Sequence, residues 1–501
     1  MNSRLTVNYG LRWEPYLNGR LLNNHVTHFN MADFLANVHS TIYPNAPAGT
    51  LFPGDPGFNT GGRPNQTAWL NFAPRFSVAW DPNGSGKTLI RGSWGMFYDM
   101  PHTLFYYNYS AEPLWGESIT LTAPPGGFAN PWLGYPGGNP FPTSQNPNTP
   151  YPTAGYYETV PLNVQNTYVE QWNLTLQRQV ASAWLFKASY LGNNTIHLWT
   201  DQEMNPAVYV PGNCVAGQYG LTKPGPCSSL ANTQARRLLT QLNPSQGPYY
   251  AQLEYLDDGG TGSYNALILS AEHRLSNHFS MLANYTYSHC IGDPQTTELS
   301  VPIYTNPANR RFDRGNCSSV DVRHNFNLSA VIQSPRYSSR VFQWIAGGWQ
   351  LAPIVGVHTG SYFTISTGAD NALNGITPQR PNQLLADPYC ADRTYTCWLN
   401  GHAFGVPANG TLGTLGSNSL VGPGYFDVDL ALTRRFPVKE KQYVEIRAEV
   451  FNIENRVNFL NPSNPGLVGN ASGSALNSSN FGKILSDVSP RIMQFAIKYA
   501  F

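Results

Sequence analysis

The 501-residue sequence predicts an all-β protein, a transmembrane antiparallel up-and-down β-barrel, on three observations. Twelve segments read as strands, and nearly all alternate apolar and polar residues with a period of two, as strands with one greasy and one wet side do. Their connections alternate strictly between short and long. Charged residues make up 12% of the chain, about half the usual share, while aromatics reach 13%.

Composition bounds the rest. Polarity is carried by Asn, Ser, Thr, Gln and Gly, and mean hydropathy is −0.32. No run approaches the roughly 20 apolar residues of a spanning helix, and LAPIVGV at 351–357 is far too short. A net charge of +1 gives no electrostatic case for nucleic acid.

The first strand, 3–14, sets Leu5, Val7, Tyr9, Leu11 and Trp13 against Thr6, Asn8, Gly10 and Arg12. This is a strand, not a signal peptide. Strands follow at 68–81, 87–99, 167–180 and 184–197, with Trp172, Leu174 and Leu176 opposite Asn173, Thr175 and Gln177. Next come 263–275, 278–290, 320–333 and 346–359, where Phe279, Met281, Ala283, Tyr285 and Tyr287 oppose Ser280, Leu282, Asn284 and Thr286. The last three are 424–436, 441–453 and 490–501. The final one keeps its period to the last residue, with Met493, Phe495, Ile497, Tyr499 and Phe501 on one face.

DPNGSGK, ASA, SNH, SPRYSSRVFQWI and PVKEKQ are the short connections; 15–67, 100–166, 198–262, 291–319, 360–423 and 454–489 are the long ones. That asymmetry predicts short periplasmic turns and long extracellular loops. Only helices and closed sheets satisfy their backbone in hydrocarbon, so alternation predicts apolar residues toward lipid and polar ones toward a watery lumen. Trp13, Trp80, Tyr98, Trp184, Tyr287 and Trp349 near strand ends suit interfacial girdles.

The six cysteines fall as close pairs, Cys214 and Cys227, Cys290 and Cys317, Cys390 and Cys397, each within or at the edge of one long loop. In-loop disulfides are expected, in an oxidising compartment. Metal ligation is the rival, but CADRTYTC has wide spacing and no neighbouring His, so no metal or other cofactor is assigned.

No catalytic set emerges. PNGSGKTLI lacks the first glycine of a phosphate loop, Asp81 standing there, and runs into a strand; it reads as a hairpin turn. The eleven His include no HExxH. Glu254, Asp257 and Asp258 in EYLDDGG could bind calcium, but a solvated acidic loop is the expectation. The chain is read as not an enzyme.

Several segments recur in a familiar order: NFAPRFSVAWDPNGSGKTLIRGSWGMFYD (71–99), YVEQWNLTLQRQV (168–180), ASYLGNNTIHLW (188–199), NYTYSHCI (284–291), DVRHNFNLSAVI (321–332), GGWQLAPIVGVHTGSYFTI (347–365) and RAEVFNIENRVNF (447–459). Together they resemble the barrel of Oar-like TonB-dependent receptors, as found in acidobacteria. The resemblance implies a barrel of about 22 strands around a plug. It also implies a ligand, a saccharide or peptide, captured outside the cell and imported by work done through the plug by the TonB complex. On that reading residues 1–501 are the C-terminal barrel portion, without signal peptide, regulatory domain or plug, and strands 3–14 and 490–501 lack partners on one side. The C-terminal aromatics Phe495, Tyr499 and Phe501 resemble the signal read by the barrel-assembly machinery.

The long segment 100–166 offers the ligand-site candidates Tyr106, Tyr107, Trp115, Trp132, Tyr135 and Tyr157, alongside Phe105, Tyr109 and Tyr156. Aromatic platforms stack on sugar faces or grip apolar peptides; equally, they can fold the loop on itself. In the lumen, Asp427 and Asp429 face Glu445, Arg447 and Glu449 on the next strand, which predicts opposite-charge ladders with Arg447. A stand-alone porin-like or adhesin-like barrel and a secreted carbohydrate-binding β domain are the alternative functions.

Overall fold

In the computed structural model, residues 4–21, 24–101, 103–116, 125–134, 138–139, 146–294, 304–318, 321–439, 442–462, 475–488 and 490–501 are described. Twelve long strands run in chain order: β1 Leu5–Trp13, β2 Phe72–Trp80, β3 Thr88–Tyr98, β4 Tyr168–Gln179, β5 Trp184–Glu203, β6 Tyr250–Ser276, β7 Phe279–Gly292, β8 His324–Gln333, β9 Trp349–His358, β10 Tyr425–Lys439, β11 Gln442–Phe451 and β12 Ile492–Ala500. Each pairs antiparallel with the next, so the sheet is an up-and-down meander. Gly155–Thr159 and Gly315–Asn316 add short strands at its rim. The path starts at β1 and stops at β12, so both keep one unpaired edge and the barrel is not closed. No helix among the described residues is long and apolar enough to cross a membrane.

Register carries the two-faced pattern across the sheet. Leu5, Trp80, Ile90, Leu176, Ala188, Leu269, Tyr285, Phe326, Val357 and Phe426 sit directly opposite one another in succession. One residue along, the row on the other face reads Thr6, Ala79, Arg91, Thr175, Ser189, Ile268, Thr286, Asn325, His358 and Tyr425. A slip of one residue would mix the rows, and along these rows no ladder slips; the register shifts lie away from them, as between His273 and Ser276 and between Pro437 and Lys439. The apolar face ends with Phe495, Ile497 and Tyr499 beside Ala448, Ile446 and Val444. Polar side chains on the lumen face bond across strands, as Asn173 Nδ2 to Ser93 Oγ at 2.6 Å and Ser270 Oγ to Asn284 Oδ1 at 2.7 Å.

Turn chemistry fixes those registers. Asn277 and His278, both with positive φ (49° and 64°), make the two-residue turn between β6 and β7 that matches strand twist. In the β2–β3 turn, the Asp81 carboxylate accepts from the backbone N–H of Gly84 and Gly86 at 3.0 and 2.6 Å, and both glycines have positive φ. This segment is the hairpin expected of it. On the lipid face Trp172 lies over Gly192, where a Cβ would sit about 2.5 Å from the indole.

Four expectations are corrected. The short connection SPRYSSRVFQWI contains a helix, Arg340–Ala346. Strand β6 begins at Tyr250, thirteen residues before the expected start at 263, because its upper half pairs with the extension of β5, Glu254 opposite Glu203. EYLDDGG is therefore strand, not a solvated acidic loop: Glu254 is fully buried and Asp257 pairs with Arg310. Arg447 bonds Glu449 along its own strand, and the cross-strand pair on this stretch is Arg435–Glu445 at 2.6 Å. The register sets Thr433, not an acid, opposite Arg447.

The large buried apolar side chains lie mostly in the long connections and in the extensions of β5 and β6 that rise among them, not in the rest of the sheet. One cluster gathers Val26, Leu51, Phe58, Phe105, Tyr109, Val160, Trp199 and Leu256; a second, Phe363, Ile365, Leu399, Phe404, Leu415 and Leu420. A single-layer wall has lipid on one side and its lumen on the other. Burial from both is reached only where loops stack.

Candidate functional site

The long connections fold into a layer over one end of the wall. The extensions of β5 and β6 rise into it as a two-stranded mast, with Leu256 opposite Asp201 and Tyr255 opposite Gln202. The first two long connections wrap this mast. Tyr250, fully buried, donates its hydroxyl to the Ala48 carbonyl at 2.7 Å, and its ring meets Phe29 edge-on at 5.3 Å.

Buried polar groups tie the segments together. Glu112, with no solvent exposure, accepts from Thr27 Oγ1 and from the Glu158 backbone N–H, both at 2.7 Å. Burial pushes the Glu112 carboxyl up to about 8, against the pull of those two hydrogen bonds. Asp55 is shifted the other way. Burial opposes its charge, but donors from Ser40, Thr41 and Phe52 outweigh that and hold the carboxyl below its ordinary value. Arg237 reaches the buried Glu203 carboxylate at 3.2 Å and the Asn205 carbonyl at 2.7 Å. Arg380 joins Asp313 at 2.5 Å, linking the β7–β8 connection to the β9–β10 connection.

All three expected cysteine pairs are disulfides, with Cα–Cα distances of 4.9 Å for Cys214–Cys227, 5.4 Å for Cys290–Cys317 and 5.9 Å for Cys390–Cys397. Each braces one connection of this layer.

The aromatic ligand candidates do not converge on one surface. Phe105 and Tyr106 are buried against Trp199, with ring centroids 5.2 and 6.5 Å away. Tyr109 donates no surface either; its hydroxyl accepts from the Val160 N–H at 3.2 Å. Tyr157 is buried 4.8 Å from the Tyr250 ring. Trp115 is half-buried, stacked on His25 at 4.9 Å with Phe52 against its edge. Tyr156 and Trp132 are half-buried and Tyr107 is exposed. Tyr135 lies outside the described residues. At the other end of the chain, Phe495, Tyr499 and Phe501 are exposed on the lipid face, and Tyr499 Oη donates to Gln442 Oε1 at 3.1 Å.

A polar cavity of about 910 Å³ opens beside the mast, lined by Gln202, Thr261, Asp293, Tyr304, Arg310, Arg311 and Arg314. Arg314 is held by Thr261 Oγ1 at 2.6 Å and Asp293 Oδ2 at 3.0 Å, while Arg310 is held by Asp257. Arginine forks in such a setting can receive carboxylate or hydroxyl groups. Sequence reasoning passed over this cavity because its residues come from β5, β6 and the β7–β8 connection, and RRFDRG at 310–315 carries no pattern of its own. No set of three metal-ligating side chains converges among the described residues.

A family model described as an outer membrane beta barrel domain matches residues 1–494. No curated protein matches the chain. Solved structures similar to it include the outer membrane transporter YddB from Escherichia coli, at 10% identity and a TM-score of 0.41 over 86% of this chain and 41% of that one. Others are the siderophore receptor PiuA from Acinetobacter baumannii (8%, 0.38, 86% and 36%) and the ferric-catecholate import receptor Fiu from E. coli K12 (8%, 0.36, 86% and 35%). The chain thus spans about two fifths or less of the length of these structures.

Proposed function

The chain belongs to the outer membrane beta barrel domain family, and we propose that it is the wall and outer layer of a TonB-dependent receptor taking part in ligand recognition and energised uptake across the outer membrane. The observation that carries this reading is the pairing of a two-faced wall with a folded, disulfide-braced layer above it. A passive pore works with loose loops. A receptor needs an outer surface of fixed shape to recognise a solute, and buried groups such as Glu112 and Tyr250 fix it here. The ordered sequence resemblance to Oar-like receptors supports the same assignment.

Unpaired backbone groups cost several kcal/mol each in hydrocarbon, so the free edges of β1 and β12 are paired in the membrane. The resemblance supplies a barrel of about 22 strands, with a plug against the polar face and the TonB complex behind it. The barrel-assembly machinery reads Phe495, Tyr499 and Phe501. The ligand is a saccharide or peptide met by the exposed Tyr107 and the arginine-lined cavity.

Uptake of labelled oligosaccharide and peptide pools by cells making the full gene product tests the reading. Accumulation should vanish when the energising inner-membrane complex is removed, and the purified protein should give no steady conductance in planar bilayers. Accumulation that persists without that complex, together with steady conductance, would establish a porin-like barrel instead.

A further inference from the structure

The helix Arg340–Ala346 sits at the end of the wall opposite the loop layer, in the connection between β8 and β9. Its large apolar side chains are exposed: Val341 66%, Phe342 63%, Trp344 72% and Ile345 57%. At about 100° per residue these four fall within an arc of about 160°, with Arg340, Gln343 and Ala346 on the remaining side. Such a face in water would be costly, and within the sheet it has no partner.

The helix is bound to the rim of the lipid face. Its last carbonyls are taken by two side chains of that face: Trp349 Nε1 donates to Ile345 O at 2.9 Å, and the Arg434 guanidinium donates to Trp344 O. Trp349 and Arg434 are directly opposite each other in the β9–β10 register, in the file that continues through Leu351 and Leu432. Arg434 also lies over the rings of Trp349 and Phe436, at 5.0 and 4.5 Å, so its stem runs along apolar surface and its charge ends at the rim. Gln343, on the other side of the helix, lines a small cavity with Gln350, Thr433 and Arg435 of the lumen face. The apolar arc is thereby turned outward, continuous with the surface that lipid covers.

We propose that this helix is an interfacial anchor seated among the phospholipids of the inner leaflet, with Phe342, Trp344 and Ile345 at the boundary of headgroups and acyl chains. Exposed Arg340, on the polar side of the helix, meets the headgroup phosphates there. The occupant is lipid, because the arc extends a lipid-covered stripe and is attached to that stripe's own side chains. A second copy of the chain or a periplasmic protein would need an arc set apart from the belt.

The test uses the full chain, one copy per nanodisc, in phospholipid carrying bromine close to the headgroup. Emission from Trp344 is isolated by subtracting Trp344→Phe, a change that keeps an aromatic at the site. That difference should fall to about half or less in brominated lipid and stay unchanged by aqueous iodide. Phe342→Trp, placed in the Trp344→Phe background, should report the same quenching from the neighbouring position. Quenching by iodide and not by bromine would put the helix in water, and protection from both would put protein over it; either result overturns the anchor.

Discussion

Thr27 Oγ1 donates to Glu112 Oε2 at 2.7 Å across 85 residues of sequence, while the other carboxylate oxygen accepts from the Glu158 backbone. One buried acid thus ties the first long connection to both ends of the second.

Because burial raises Glu112 from 4.5 to about 8, the folded layer holds a proton that the opened chain releases. Stability from this group is complete below about pH 4.5, declines by about 1.4 kcal/mol per unit as pH rises, and is gone above about pH 8. Hydrogen exchange of amides at 27–29 and 158–160 should accelerate across that window. Glu112→Gln should flatten the dependence, and Glu112→Ala should cost about 1–3 kcal/mol at low pH by orphaning two donors.

Ile268 and Leu269 are adjacent, alike in chemistry, and on opposite faces of β6. Leu269→Arg should cost about 2–4 kcal/mol and Ile268→Arg under about 1 kcal/mol, since only the first places a charge in hydrocarbon. Denaturant unfolding in lipid vesicles reads the difference; equal costs would refute the assignment of faces.

The three disulfides close loops of different length. Loss of Cys290–Cys317, which spans 27 residues, should destabilise the layer by about 3.5 kcal/mol, and loss of Cys390–Cys397, which spans 7, by about 2.5 kcal/mol. Paired Cys→Ser variants, compared by protease resistance of the layer, give that order.

Gly192 leaves room for the Trp172 ring on the lipid face. Gly192→Val should displace the indole and cost about 1–3 kcal/mol, whereas Gly192→Val with Trp172→Ala should recover part of the loss. A cycle without coupling would mean the ring does not lie there.

The wall was legible in the sequence because alternation is a local signal: Trp172, Leu174 and Leu176 declare a face without reference to anything distant. The disulfides were legible for the same reason, each pair lying close in sequence. Register between neighbours was not. Arg447 meets Thr433 because the β10–β11 connection shifts register between Pro437 and Lys439, an offset that alternation within either strand does not encode. The outer layer was least legible. Tyr250 finds Ala48 from 202 residues away, and Glu112 is an ordinary acid until three segments close over it. The helix at 340–346 is a single short apolar run whose meaning depends on the rim beneath it.

With apolar burial gathered in the outer layer, the molecule answers to two solvents. Delipidation attacks the wall, where hydrocarbon supplies the packing that protein does not, and leaves the crown its own contacts. Reductant and alkali attack the crown through its bridges and its protonated acid, and leave the wall its ladders. Melting should therefore resolve into two steps, the upper governed by chemistry outside the cell and the lower by the fluidity of the bilayer.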